Sequence, residues 1–137
     1  MSDEIVIGGL PVPPSLLSLI RSGRWVSPGD EILLDIFNEE PVQPCFYGEA
    51  MLIGENRAWH TDPEIAGPPQ PLVEGSLGIF AERSLVIADL GPSMPIVLDY
   101  RESLTSPRVL YLRGLAWVLI ATTFEELARR LFPQQEA

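Results

Sequence analysis

Four short apolar runs in the second half of the chain place the strongest constraint on its fold. They read SLVIADL, PIVLDY, PRVLYL and LAWVLIA and occupy residues 84–90, 95–100, 107–112 and 115–121. Their richness in Val, Ile and Leu is typical of strands, and Gly, Pro and polar residues separate them. A parallel connection needs roughly a dozen residues or more, and each of these gaps is far shorter. The runs therefore predict an antiparallel meander.

Residues of the second run alternate between the two faces of the predicted sheet. One face receives Ile96, Leu98 and Tyr100, and the other receives Val97, Asp99 and Arg101. Because the second set carries two charges, we expect a sheet with one well-buried face and one partly polar face.

The segment TTFEELARRLFP predicts a closing helix. Its apolar residues recur at the i, i+3, i+4 and i+7 positions of one helical face. Either Thr122 with Glu125 or Thr123 with Glu126 fits a capping box. Pro133 follows as a stop, so we expect a short amphipathic helix that packs on the sheet.

Two further helices are predicted near the N-terminus, in PPSLLSLIRSGRW and SPGDEILLDIFNEE. Pro14 suits the first turn of the first helix and Gly23 its end. Ser27 is the expected N-cap of the second helix. A weaker helix is expected over about 49–57, followed by a long surface loop over 59–71.

These elements together predict the fold class. Helices come first, then an antiparallel meander of four or more strands, then a C-terminal helix packed on the sheet, which is an α+β arrangement. The chain has 137 residues, about the size of one domain and enough to bury a core. We therefore expect a single domain over residues 1–137.

The charge balance narrows the classes of partner. Nineteen acidic residues against nine arginines give a formal charge of −10. Nucleic-acid binding depends on clustered basic side chains, so this balance argues against it and favours a basic protein partner. The longest nearly uncharged run, 114–124, is shorter than the roughly 20 residues of a membrane-spanning helix. The N-terminus also lacks the basic region of a signal peptide, so we expect a cytoplasmic protein with no membrane contact.

Little in the sequence points to catalysis or cofactors. The chain has one cysteine, Cys45, and one histidine, His60, so a disulfide within the chain and a multi-histidine metal site are excluded. Asp62 could orient His60 as a general base, but a solvated loop histidine fits the same pattern. Cys45 has only His60 as a candidate base and is more typical of a buried thiol. We expect no cofactor and no metal.

Beyond these single residues, an ordered set of segments resembles the SUKH superfamily of Smi/Knr-type proteins. The matching C-terminal segments are an "IALDY"-like strand at 96–101, a "PRV" strand at 107–109, a Trp-containing strand at 117–123 and a "FEEFL..L"-like helix at 124–131. The opening LPVPPSLLSLIRSGRW is similar to that of a bacterial subgroup. The resemblance covers about residues 10–30 and 84–131.

The resemblance implies an α+β fold and a non-enzymatic role. Many bacterial members are immunity proteins that bind and neutralise toxins, and fungal members are regulators of cell-wall synthesis and scaffolds. The leading expectation is therefore an immunity protein that inhibits a toxin by binding it, and the acidic charge favours a basic toxin domain. A scaffold that binds an endogenous protein is the alternative, and a hydrolase built on two carboxylates is a remote one. The oligomeric state stays open.

The polar face of the predicted meander and its loops are the expected contact surface. The candidate contact residues are Asp89, Asp99, Arg101 and Glu102, with Trp25 and Trp59 as anchors. The charged residues could instead pair with one another or cap loops, and the indoles could belong to the core. Charge reversal at Asp99 or Glu102 is expected to weaken partner binding without unfolding the domain.

Overall fold

A five-stranded antiparallel sheet organises the protein in the computed structural model, which describes residues 4–61 and 74–133. The strand order is β3-β4-β5-β6-β7. The strands are β3 (Cys45–Phe46), β4 (Ser84–Asp89), β5 (Pro95–Asp99), β6 (Arg108–Arg113) and β7 (Ala116–Ala121), and a small hairpin of β1 (Val6–Ile7) and β2 (Leu10–Pro11) precedes them. The predicted meander and α+β class are confirmed. The short strand β3, which the sequence did not indicate, adds a fifth member.

Four α-helices surround this sheet within the described residues. They are α1 (Pro14–Arg21), α2 (Asp30–Phe37), α3 (Glu49–Thr61) and α4 (Phe124–Leu131). In α1, Pro14 occupies the first turn, and Gly23 follows the helix with a positive φ of 75°. The predicted first helix is thereby confirmed, and α4 lies within the segment predicted for the closing helix.

The start of α2 differs from the prediction. Gly29, rather than Ser27, is the N-cap residue, and the helix begins at Asp30. Gly29 has a φ of 124°, a conformation open to glycine and strained for other residues, so the chain turns there and Pro28 cannot belong to the helix. Ser27 as the helix cap was therefore a wrong prediction.

The capping of α4 follows one of the two predicted registers. The Thr123 hydroxyl oxygen accepts a hydrogen bond from the Glu126 backbone N–H at 3.1 Å. The Glu126 carboxylate in turn accepts from the backbone N–H and the hydroxyl of Thr122. These bonds satisfy donors that would otherwise lack a partner at the helix start.

Helix α3 is longer than predicted and removes the start of the expected loop. Its buried side chains are Leu52, Asn56 and Trp59, spaced four and three residues apart on one face. Because the middle residue of this stripe, Asn56, is polar, the sequence does not show a continuous apolar face over the whole helix. Trp59 and His60 therefore lie in a helix, and residues 62–71 of the predicted loop lie outside the described residues.

Asn56 explains why α3 lies along the outer edge of β4. Its side chain is fully buried. The Asn56 Oδ1 atom accepts the Val86 N–H at 2.8 Å, and Nδ2 donates to the Val86 carbonyl at 2.8 Å. Strand β3 pairs only with Ala88 and Asp89, so this amide takes the place of a strand partner farther along the edge.

One face of the sheet packs against helices, as predicted. Phe37 of α2 meets Tyr111 of β6 with ring centroids 5.1 Å apart. Helix α4 buries Phe124, Leu127 and Leu131. Apolar burial of this kind contributes most of the favourable free energy of folding.

The other face is partly polar, as expected, because it carries Asp99, and it is covered only in part, since Leu119 on this face is 46% exposed. Val97 and Leu110 are fully inaccessible there. Residues 76–80, here called the strap, lie across this face. The strap begins at β7, where the Leu77 N–H donates to the Trp117 carbonyl at 2.9 Å. The carbonyl of the next residue, Gly78, accepts a hydrogen bond at 3.0 Å from Arg101, which follows β5.

Candidate binding groove

Asp99, Arg101 and Glu102 come together at one end of the sheet, together with Arg108. The Asp99 side chain is fully buried. Its carboxylate accepts from Arg101 Nε at 2.9 Å and from Arg108 Nε at 2.7 Å. Glu102 lies outside this pair, with an exposed carboxylate 3.6 Å from Arg108.

The electrostatics of Asp99 indicate a structural role. Burial alone would raise the pKa of Asp99, but hydrogen bonds from the two arginines outweigh it and hold the pKa below its usual value. Arg101 also donates to strap carbonyls and lies 5.5 Å from the centroid of the Phe80 ring. Asp99 thus fixes the arginine that holds the strap against the sheet, and only Glu102 of these three offers an exposed charge.

The two predicted aromatic anchors are buried. Trp25 is 4% exposed, packs among aromatic rings on the helix-covered side and donates its indole N–H to the Ile87 carbonyl. Trp59 is 3% exposed and donates to the Ser84 hydroxyl at 2.8 Å. An anchor on a preformed interface needs an accessible ring. Both positions therefore support packing rather than direct contact.

Asp89 lies at the opposite end of β4, beside a groove of about 570 Å³. Helix α3, the turn between β4 and β5, and the β6–β7 end of the sheet enclose this groove. The floor is apolar and aromatic, and the rim is polar. The lining residues are Val42, Gln43, Tyr47, Glu55, Ala58, Trp59, Val86, Asp89, Gly91, Pro92, Ser93, Met94, Pro95, Leu112 and Trp117.

The charges of the groove have one sign. Glu55 and Asp89 contribute carboxylates, and none of the described lining residues is basic. The Tyr47 hydroxyl donates to Asp89 Oδ2 at 2.7 Å, and the Tyr47 ring is buried. Burial first, and then the bond to Asp89 and the charges of Asp89 and Glu55, raise the pKa of Tyr47. Tyr47 therefore stays a hydrogen-bond donor and orients the Asp89 carboxylate.

Close backbone contact fixes one rim of the groove. The Val42 N–H donates to the Leu90 carbonyl at 2.7 Å. Gly91 has a φ of 149°, and a Cβ atom at this position would lie 2.7 Å from the Val42 carbonyl oxygen. Glycine is therefore required for the turn to lie against residue 42, and the rim is preformed.

Cys45 and His60 have separate partners, and the Cys45 thiol, which is only partly buried, lies 3.6 Å from the Met51 sulfur. Burial, and then the charges of Asp89 and Glu55, raise the pKa of the Cys45 thiol and disfavour the reactive thiolate. His60 Nε2 lies 2.8 Å from the Ser84 carbonyl oxygen, and its ring packs against Gly8. Asp62, the predicted orienting partner, lies outside the described residues.

A larger cavity of about 670 Å³ lies on another side of the molecule, beside the proline-rich entry to α1. Its walls are mainly apolar, with Leu104 and Leu17 among them. Its charged residues, Glu4 and Arg21, are opposite in sign, and both have interaction partners. This cavity has no charge bias, so the carboxylate-rimmed groove is the stronger candidate site.

Sequence reasoning identified Asp89 and missed Tyr47 and Glu55. Glu55 stands four residues before Trp59, which places both on one side of a helix. This spacing was the only sequence signal for Glu55, and it was missed because the helix was expected to end at about residue 57, before Trp59. Tyr47 reaches Asp89 across 42 residues of sequence, a contact with no local pattern.

Comparison of the chain with family models, with curated proteins and with solved structures gave no match. Within the described residues, no helix combines the length and apolar character needed to cross a membrane. The same residues contain no group of three or more side chains placed to hold a metal ion.

Proposed function

We propose that this chain is a non-enzymatic protein-binding domain, an immunity protein of the SUKH type that neutralises a toxin by direct binding in the cytoplasm. The observation that carries the proposal is the preformed groove with carboxylates at its rim and an apolar floor. A surface of this kind suits a protein segment that brings both positive charge and apolar contact area.

The net charge supports the same partner chemistry. A chain with a formal charge of −10 attracts basic proteins, and such steering raises association rates by about one to three orders of magnitude. Nuclease toxins carry basic surfaces because they bind phosphate backbones. An acidic inhibitor therefore competes for the surface that such a toxin uses for its substrate.

A protein that inhibits a toxin by binding it does not need catalytic residues. It requires shape and charge complementarity and a slow dissociation rate, and it needs no nucleophile or general base. The engaged His60 and the raised pKa of Cys45 are compatible with this mode of action.

The experiment is co-expression with each toxin encoded beside the gene. Growth is measured for cells that carry the wild type, an E55Q/D89N variant or an E31Q/D35N variant. The last pair removes the same charge from exposed positions on α2, so it is the matched control. We expect rescue by the wild type and the control and loss of rescue by the groove variant.

Failure of the wild type to rescue growth with every neighbouring toxin would contradict the immunity proposal. Rescue by all three proteins would support immunity but place the contact outside the groove. A growth phenotype of the deletion strain without any toxin would instead favour the scaffold role. Thermal unfolding of each variant establishes that a lost rescue does not arise from a lost fold.

A further inference from the structure

We infer that the groove is a receptor for an arginine side chain presented by a protein partner, with Asp89 and Glu55 as its anionic ligands and Tyr47 as the residue that positions Asp89. This inference deepens the proposed function and rests on it for the nature of the partner.

The charge pattern of the groove selects a cation. Both ionisable carboxylates face the same cavity of about 570 Å³, and none of the described lining residues is basic. By contrast, Asp99 is already neutralised by two arginines. No such arginine faces Glu55 or Asp89 among the described lining residues of the groove.

The geometry of Asp89 is preorganised. Tyr47 is 5% exposed, and its hydroxyl holds Asp89 Oδ2 at 2.7 Å. Among the described residues Tyr47 is the one side-chain donor to this carboxylate, so Oδ1 and the second lone pair of Oδ2 can accept donors from a ligand. A carboxylate held in place loses less entropy when it binds a cation than one on a free side chain.

The floor selects arginine over lysine. The base of the groove is apolar: it is lined by Leu112, which is partly exposed, and by Val86, Trp59 and Trp117, which are at most 6% exposed. A guanidinium is planar and weakly hydrated, packs against aromatic and apolar surfaces, and matches a carboxylate with two parallel hydrogen bonds. An ammonium is more strongly hydrated and loses more when it enters such a site.

The test uses the full chain and a small probe, Nα-acetyl-arginine methylamide, without any toxin. The indole N–H signals of the three tryptophans are followed by NMR at low salt. Trp59 and Trp117 line the groove, whereas Trp25 packs on the opposite side of the sheet and is an internal control. We expect saturable shifts at Trp59 and Trp117 and none at Trp25.

Matched probes and variants separate recognition from bulk charge. The neutral citrulline analogue should cause no saturable shift, and the lysine analogue should bind at least threefold more weakly. The D89N and E55Q variants should weaken arginine binding at least fivefold, and D35N should leave it unchanged. Y47F keeps the charge of the groove and should still weaken binding severalfold, because Asp89 is then released.

Equal binding of citrulline and arginine, or unchanged affinity in D89N, would overturn the inference. Unchanged affinity in Y47F would remove Tyr47 from the site. Rescue of growth by the E55Q/D89N variant would leave the immunity proposal intact and overturn the groove as the contact. Specific arginine binding together with a failed rescue would instead contradict the immunity proposal alone.

Discussion

Replacement of Asn56 tests how the edge of β4 is satisfied. The side chain is fully buried and makes hydrogen bonds to both backbone groups of Val86. In Asn56→Ala these two groups lose their partner inside the protein. Each buried unsatisfied group costs about 1–3 kcal/mol. For the two groups together we therefore expect a loss of about 2–6 kcal/mol in the free energy of unfolding.

The assay is urea unfolding followed by tryptophan fluorescence, with thermal unfolding in parallel. A loss of this size corresponds to a fall in Tm of roughly 6–18 °C for a domain of this length. Arg57→Ala is the matched control because Arg57 is the next residue of α3 and is exposed. Its effect should stay within about 0.5 kcal/mol.

Asn56→Asp gives the same test a pH signature. The ionised carboxylate of this variant can accept the Val86 N–H but repels the Val86 carbonyl, whereas the protonated acid donates to that carbonyl. Burial raises the pKa of such a carboxyl in the folded state. The stability deficit relative to wild type should therefore be large at pH 7 and shrink as the pH falls toward about 4. A deficit independent of pH, or an Asn56→Ala effect equal to that of the control, would refute this reasoning.

Three further predictions concern stability. Asp99→Asn should cost about 2–4 kcal/mol near pH 7, because it removes the anion from a buried pair. Because the pKa of Asp99 is lowered in the folded protein, ionised Asp99 stabilises the fold above about pH 4, and this stabilisation is lost as the pH falls through the folded pKa. In urea unfolding, the stability of Asp99→Asn should therefore depend less on acid pH than that of the wild type. Gly8→Ala should lower the Tm more than Gly9→Ala, since both residues have positive φ but only the Cβ of the former would lie 2.7 Å from His60; equal losses would contradict the contact. Thr123→Ala should cost about 1 kcal/mol by thermal unfolding through loss of the N-cap of α4, and no loss would argue against the cap.

Local patterns were enough to predict the elements whose partners are near in sequence. The four apolar runs are joined by short turns, so their pairing was indicated by gap length alone. The closing helix contains its own cap, Thr123 with Glu126, and its own apolar stripe, and both could be predicted from the sequence.

Features that depend on partners far away in the sequence could not be predicted. Asn56 looks like a break in the amphipathic pattern of α3 until Val86, 30 residues away, supplies its hydrogen bonds. The groove was predicted only in part for the same reason: Asp89 was identified, but its partner Tyr47 lies 42 residues away in the sequence. Asp99 was expected at a contact surface, with pairing to a neighbouring charge as the alternative, and in the structure its carboxylate accepts from Arg101 and Arg108, two and nine residues away.

The most direct test of the central claim is a comparative pull-down from the cells in which the protein naturally occurs. The tagged wild type, the E55Q/D89N groove variant and the E31Q/D35N control are used side by side, and the captured proteins are identified by mass spectrometry. We predict that one basic protein is recovered with the wild type and the control and is lost with the groove variant. Equal recovery of the same partner by all three proteins would contradict the claim that the groove binds it.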